Sequence, residues 1–293
     1  MASEERDPPV WTHREAVVNR VRLHYVEAGG GPLIVLLHGF PEFWYSWRHQ
    51  IPALAEAGFR VMAPDLRGYN LSDKPAGVRH YRLGALVEDV AGLIRRAGAG
   101  KAVVAGHDWG GGVAWALAMR WPQLLSRLVI LNAPHPGAFF RELRTWSQLR
   151  RSWYMFFFQL PVLPELFMRA GNFRGLERTL RHDPVRPGAF TDEDIQRYKE
   201  AIARPGALTA GINYYRAAFR YSRLSPAQSF PKIEVPTLLI WGEKDRYLGI
   251  RLTEGLDRWV ADLRIERIPE ASHWVQNDAP ERVNRLMIDF LNR

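Results

Sequence analysis

The chain contains no cysteine. That excludes disulfides, thiolate metal sites and a thiol nucleophile, and it fits a reducing compartment. Lysine is scarce, so nearly all of the formal net charge of +9 rests on arginine. The arginines are scattered, and no Lys/Arg block or nucleic-acid-binding motif occurs. The charge therefore reads as a solvated surface rather than a polyanion site. Long apolar runs are missing too. The most apolar stretch, Trp153 to Leu163, is interrupted by Gln159 and Pro161 and is too short to span a bilayer. The first nine residues are polar and acidic, unlike a signal peptide. The expectation is a cytoplasmic protein with no membrane span and no nucleic-acid partner.

What is present is an ordinary globular composition, 293 residues with 47% hydrophobic and 24% charged. Strand and helix patterns alternate through the first half. Glu15 to Glu27 alternates as two antiparallel edge strands turning near Asn19. Leu33–Leu37, Arg60–Asp65, Lys101–Ala105 and Arg127–Leu131 read as buried strands. Helical spacing follows at Ile51/Leu54/Ala55, at Leu83–Ala97 and from Val113. The alternation stops after Asn132-Ala-Pro-His-Pro136. From 137 to 230 aromatic and leucine residues recur at helical spacing between Pro and Gly breaks. Strands resume at Pro236–Trp241 and Arg264–Ile268, with helices expected over Leu252–Val260 and Pro280–Leu291. The fold class predicted is α/β, a mostly parallel, doubly wound sheet. Its two core parts are 1–136 and 231–293, and a helical cap, 137–230, is inserted after the sixth strand.

Chemistry concentrates at Gly106-His107-Asp108-Trp109-Gly110. Small residues flank a central Asp between a strand and a helix, the layout of a nucleophile elbow with Asp in place of Ser. A carboxylate held there can attack carbon without a base to deprotonate it. Such an elbow needs an acid and a His further along the chain. Asp245 follows the strand ending at Trp241, and His273 follows the strand ending at Ile268, both at the ends where parallel sheets build sites.

These segments resemble the α/β-hydrolase-fold epoxide hydrolases. His38-Gly-Phe-Pro-Glu42, Phe43–Arg48, Gly106–Gly111, Trp241–Asp245 and Ala271–Trp274 all match that family. The resemblance implies opening of an epoxide to a vicinal diol through a covalent ester on Asp108, with His273 and Asp245 activating water. It implies oxyanion-hole N–H groups from Phe40 and Trp109, and a fixed peptide bond before Pro41. Two cap segments, Trp153–Pro161 and Asn213–Arg216, match the family's tyrosine pair and point to Tyr154 and Tyr215 as donors to the epoxide oxygen. On a helix Tyr214 points about 100° away from Tyr215, so only one of them faces the pocket. His38, Pro41, Glu42, Phe156, Phe157 and Leu160 are expected around the substrate or its water. For Glu42 the two readings are a water relay and a helix N-terminal charge. No metal and no cofactor is implied. The partners expected are a small apolar epoxide and water, with a homodimer as one assembly.

The alternative is a haloalkane dehalogenase, which shares the Asp nucleophile but needs two indole or amide donors for the halide. Trp109 supplies one. Phe40 has no donor, leaving Trp146 or Trp153 as the second. A non-catalytic binding protein on this fold is the third reading.

Overall fold

The computed structural model describes residues 10–221 and 230–293. Its strands are β1 (Thr12–Val18), β2 (Val21–Ala28), β3 (Leu33–Leu37), β4 (Arg60–Pro64), β5 (Ala102–His107), β6 (Leu125–Leu131), β7 (Thr237–Gly242) and β8 (Leu263–Ile268). They form one sheet in the order β1-β2-β4-β3-β5-β6-β7-β8. β1 and β2 pair antiparallel with their neighbours, and every pairing from β4 to β8 is parallel. β3, β5 and β7 are buried throughout, and their side chains are apolar on both faces except for His107 and Thr237. Such strands are stable only when helices cover both sides.

The cover comes from α1 (Gln50–Glu56), α2 (Leu83–Arg96) and α3 (Trp109–Arg120) in the first part of the chain. Among the described residues, six helices follow between β6 and β7: α4 (Pro136–Glu142), α5 (Trp146–Arg151), α6 (Trp153–Phe157), α7 (Leu163–His182), α8 (Asp192–Ala203) and α9 (Ala207–Tyr221). Two more, α10 (Val275–Asp278) and α11 (Pro280–Leu291), close the fold. Leu86, Val90 and Ile94 of α2 pack with Val113 and Leu117 of α3 on one face of the sheet. Ile51 and Leu54 of α1 pack with Val283 and Met287 of α11 on the other.

Among the described residues, the regular elements between β6 and β7 are these helices, followed by an isolated bridge from Ile233 to Val260; residues 222–229 lie outside the described residues. The helical segment is fastened to the core by buried polar anchors. Arg48 donates to Asn277 Oδ1 at 2.6 Å, to the Ala189 carbonyl at 2.8 Å and to Asp194 Oδ2 at 3.2 Å. The Tyr214 hydroxyl donates to the Arg67 carbonyl at 2.7 Å.

Three expectations shift. No α-helix spans Leu252–Val260. Two short 3-10 turns, Ile250–Thr253 and Leu256–Arg258, stand there, separated by Gly255 at φ +63°. A left-handed residue at that point ends one turn before the next begins. Helix α3 starts at Trp109 rather than Val113, since Gly110–Gly112 hide the apolar period that marks a helix. Strand β5 runs on to His107, so Asp108 stands directly on the strand-to-helix corner.

That corner depends on glycine because the helix meets the sheet backbone to backbone. A β-carbon on Gly110 would lie 2.2 Å from the Leu37 carbonyl oxygen, and one on Gly106 would lie 2.4 Å from the Gly110 oxygen. Gly112, two residues on, has nothing within 4 Å of that position. Gly110→Ala should therefore destabilise by about 3 kcal/mol or more through backbone overpacking. Gly112→Ala should stabilise by about 0.5–1 kcal/mol, because only unfolded-chain entropy changes. Urea midpoints of the two variants test the contrast; equal destabilisation would mean that helix α3 is not seated against β3 in this way.

Candidate active site

Asp108 sits at φ +49°, ψ −120°, outside the regions favoured by a residue with a β-carbon. This conformation turns its carboxylate off the end of β5 toward the loop after β3. The Phe40 N–H donates to Asp108 Oδ1 at 2.9 Å, and the Trp109 backbone N–H is a second donor to the carboxylate. Gly39 makes room for this meeting: a β-carbon there would lie 2.4 Å from the Asp108 β-carbon. The Phe40–Pro41 peptide is cis.

His273 lies on the opposite side. Its Nε2 is 3.7 Å from Asp108 Oδ2, and its Nδ1 donates to Asp245 Oδ2 at 2.7 Å. Asp245 is held by four donors. The Tyr247 and Leu248 N–H groups reach Oδ1 at 2.7 and 2.8 Å, and Asn132 Nδ2 reaches Oδ2 at 2.8 Å beside His273. Asn132, at φ +37° just past β6, also ties the end of β7 by accepting from the Gly242 N–H at 2.8 Å. Nothing in the sequence pattern singled Asn132 out, although Asn is the residue that tolerates this conformation best.

The electrostatics follow from burial and charge. Burial alone would lower the His273 imidazole, but Asp245, with Asp108 and Glu42 behind it, outweighs this and raises its pKa to about 9. Burial pushes Asp108 upward, and the opposing pull of His273, His107 and the two backbone N–H groups does not cancel it. Asp245 ends below the usual carboxylate range, because His273 and its donors overcome burial. Tyr154 and Tyr215 are pushed well above the ordinary phenol value by burial and then by Asp108, so both hydroxyls keep their protons.

The tyrosine pair stands across from the triad. Tyr215 of α9 meets the Trp109 ring edge-on at 5.0 Å and the Phe40 ring at 5.5 Å, and Tyr154 of α6 lies 5.8 Å from Tyr215. Tyr214 points away, to Arg67. Arg216 joins the two tyrosine-bearing helices. It is buried, and it donates to the Phe158 and Leu160 carbonyls at 3.0 and 2.7 Å and to both oxygens of Glu165.

The surrounding expectations divide. Glu42 is fully buried and is not a helix-end charge. It accepts from His107 Nδ1 at 2.7 Å, from the Gly39 N–H at 3.0 Å and from Gln276 at 3.2 Å. Burial would raise its carboxyl, but His107 holds it below the usual range. His107 Nε2 in turn reaches the His273 carbonyl at 2.8 Å, so a chain runs from Glu42 to the backbone of His273. Pro41 and Glu42 border a cavity of about 10 Å³ with Tyr69 and Asn70, room for one water. His38 offers no nitrogen to a substrate: it accepts from the Leu66 N–H at 2.9 Å and donates to the Gly39 carbonyl at 2.8 Å.

Phe156 and Leu160 are corrected. They are 48% and 43% exposed, and Phe156 packs on Phe219. The reason is the helical period: Phe156 lies about 200° around α6 from Tyr154, whereas Phe158 lies about 40° away. Phe158 is the residue the sequence reading missed; it touches the rings of Tyr154, Tyr215 and Phe40 at 5.8, 5.0 and 5.6 Å. Phe157 sits at the edge, between Trp153 and Phe167. Trp146 and Trp153 are 77% and 60% exposed, so neither indole supplies a second donor beside Trp109.

A carboxylate mounted on a strand-to-helix corner, two backbone N–H groups donating to it and a carboxylate-backed His are the layout of an α/β-hydrolase. The family model for the alpha/beta hydrolase fold matches residues 32–280. The chain is 45% identical over 93% of its length to an AB hydrolase superfamily protein, YfhM, of Bacillus subtilis, covering 95% of that protein. It is 41% identical over 97% of its length to epoxide hydrolase 1 of Caenorhabditis elegans, covering 71% of it. The crystal structure of a Bacillus megaterium epoxide hydrolase in complex with an inhibitor superposes with a TM-score of 0.88 at 34% identity, covering 96% of this chain and all of that one. The chain belongs to the α/β-hydrolase-fold family, in its epoxide hydrolase branch.

Asp245 is the largest charge holding His273 protonated. Asp245→Asn should therefore drop the imidazole titration well below about 9, since burial then prevails. Ring-proton NMR of His273 against pH measures this. An unchanged titration would assign the raised value to Asp108 instead.

Proposed function

We propose that this enzyme opens epoxides to vicinal diols through a covalent ester on Asp108. The observation that carries the reading is the division of labour between the two carboxylate oxygens. Oδ1 is held by the Phe40 N–H, and Oδ2 faces His273. Oδ2 is the oxygen free to attack a ring carbon, and its raised basicity favours attack. Tyr154 and Tyr215 donate to the epoxide oxygen as it becomes an alkoxide, a poor leaving group that needs both donors.

The ester then removes the Asp108 charge. One of the carboxylates that raise His273 is gone, so the imidazole becomes easier to deprotonate once the ester exists. Neutral His273, oriented by Asp245, takes a proton from water, and the hydroxide attacks the ester carbon. The developing oxyanion is Asp108 Oδ1, already under the Phe40 N–H, with the Trp109 N–H donating to the same carboxylate. Glu42 and His107 help set the water and the base. The halide reading lacks its second donor, since Trp146 and Trp153 face outward.

A single turnover in heavy-oxygen water tests the ester. The first diol should carry ordinary oxygen from Asp108, with label entering only on later turnovers. Label in the first diol would mean direct attack by water.

The tyrosines give a second test. A hydrogen bond to a charged group is worth about 1.5–3 kcal/mol, so Tyr154→Phe and Tyr215→Phe should each slow ester formation by about 10- to 150-fold. The double variant should lose nearly all of it. Trp109→Phe keeps the backbone N–H and should be milder. A stopped-flow trace of ester formation with a styrene-oxide-like substrate ranks the four. A fast double tyrosine variant beside a dead Trp109→Phe would reverse the assignment.

A further inference from the structure

Helix α6 and the first turns of α7 are built inside out. Glu165 of α7 turns inward to the buried Arg216, with Nη1 to Oε1 at 2.7 Å. Leu163, Leu166 and Phe167 share the opposite face and are 55%, 59% and 67% exposed. Trp153 and Phe156 continue the surface on α6, and Phe156 meets Phe219 of α9 at 5.4 Å. Phe157 bridges Trp153 and Phe167 at 6.1 and 5.7 Å, so the exposed side chains form one patch rather than scattered singles. Contiguous patches of this kind mark interaction surfaces. The outward run is also bracketed by uncommon backbone: Val162 stands at φ +65° and Phe173 at φ +59°. A β-branched residue does not adopt that conformation without cost.

The rim identifies what covers the patch. Arg150, Arg169, Arg174 and Arg220 are exposed, each within a few residues of a patch side chain or of the chain that ends it. The acidic groups of the neighbouring turns are already engaged: Glu142 with Arg141, Glu165 with Arg216, and Glu177 with Arg181 and Lys199. A second copy would bring an identical basic rim against this one, and like charges across an interface repel. Side chains this exposed project outward instead of lining a groove, so they suit a medium that needs no matching shape. Aromatic and leucine side chains ringed by arginine are the composition that seats a surface helix in the headgroup region of an anionic bilayer.

We propose that this face of the cap docks on an anionic lipid surface. Docking would bring the outer side of α6 to the layer where apolar compounds dissolve, while Tyr154 lies on its inner side. The binding itself is independent of the reaction proposed above.

The experiment is vesicle co-sedimentation of the full chain. The vesicles are phosphatidylcholine alone, or equal parts phosphatidylcholine and phosphatidylglycerol. Binding is expected to the anionic vesicles and not to the neutral ones. It should weaken when ionic strength rises from about 0.1 M to 1 M, where the Debye length falls from about 10 to 3 Å. Leu163→Ser/Leu166→Ser should weaken partitioning about tenfold or more, and Arg150→Gln and Arg169→Gln about fivefold each. Turnover of a water-soluble epoxide should be unchanged in all of these variants. Equal binding to both vesicles, no binding, or a dimer in sedimentation velocity that Leu163→Ser/Leu166→Ser dissolves would each overturn the proposal.

Discussion

The Phe40 N–H to Asp108 Oδ1 hydrogen bond is the contact on which the site depends. Its two ends lie in the loop after β3 and at the corner after β5, strands that are neighbours in the sheet. Parallel pairing brings their C-terminal ends side by side, and glycine lets the chain use that proximity. Gly110 allows α3 to touch the Leu37 carbonyl, and Gly39 lets the loop pass over the Asp108 β-carbon. The local geometry is strained at Asp108 and is held by packing around it. Leu36, Leu37, Val104 and Ala105 beneath it are fully buried. A rigid sheet is what makes a 2.9 Å contact between distant segments reproducible.

Charge follows from the same arrangement. Three carboxylates, Asp108, Asp245 and Glu42, surround His273 and His107 in a space with little water. Burial penalises each charge, and the pairings restore the balance unequally. Asp245 gains most, with four donors, and stays a permanent anion. Asp108 gains least and remains the more basic carboxylate. Two groups of one chemical type thus acquire different basicities from their surroundings, the general route by which a site sets two carboxylates to different tasks. In the reaction proposed above, an ester on Asp108 would remove one anion from beside His273 and make its imidazole easier to deprotonate.

Much of this was legible in the residues. The strands showed as β-branched runs, and α11 runs from Pro280 to Leu291, the bounds that its apolar period and first-turn proline mark. Asp108, Asp245 and His273 could be chosen because each follows a strand, and strand ends are visible in a pattern. Side-chain direction was not. Phe156 is expected at the pocket and Phe158 is not singled out, because only a helical register separates outward from inward in an aromatic run. The Asn132 and His107 contacts cross between segments more than 100 residues apart, so no local signal carries them. Burial removes the helix-end reading of Glu42, since a charge at a helix end stays hydrated and this one does not.

Helix α6 draws the two halves of the molecule together. It is one turn and a little more, too short to be stable by propensity. It holds its place because its inner face, Tyr154 with Phe158, packs on Tyr215, and because Arg216 binds the carbonyls at and just beyond its end. That buried cation stands one residue from Tyr215, and its partner Glu165 draws α7 inward as well. Satisfying Arg216 in this way consumes the inward faces of both segments. The remaining apolar side chains, Trp153, Phe156, Leu166 and Phe167, have only the outside left to occupy. The exposed patch and the ordered tyrosine pair are therefore consequences of one buried ion pair, and a change that relieved the patch by turning α7 over would uncouple Tyr154 from Tyr215.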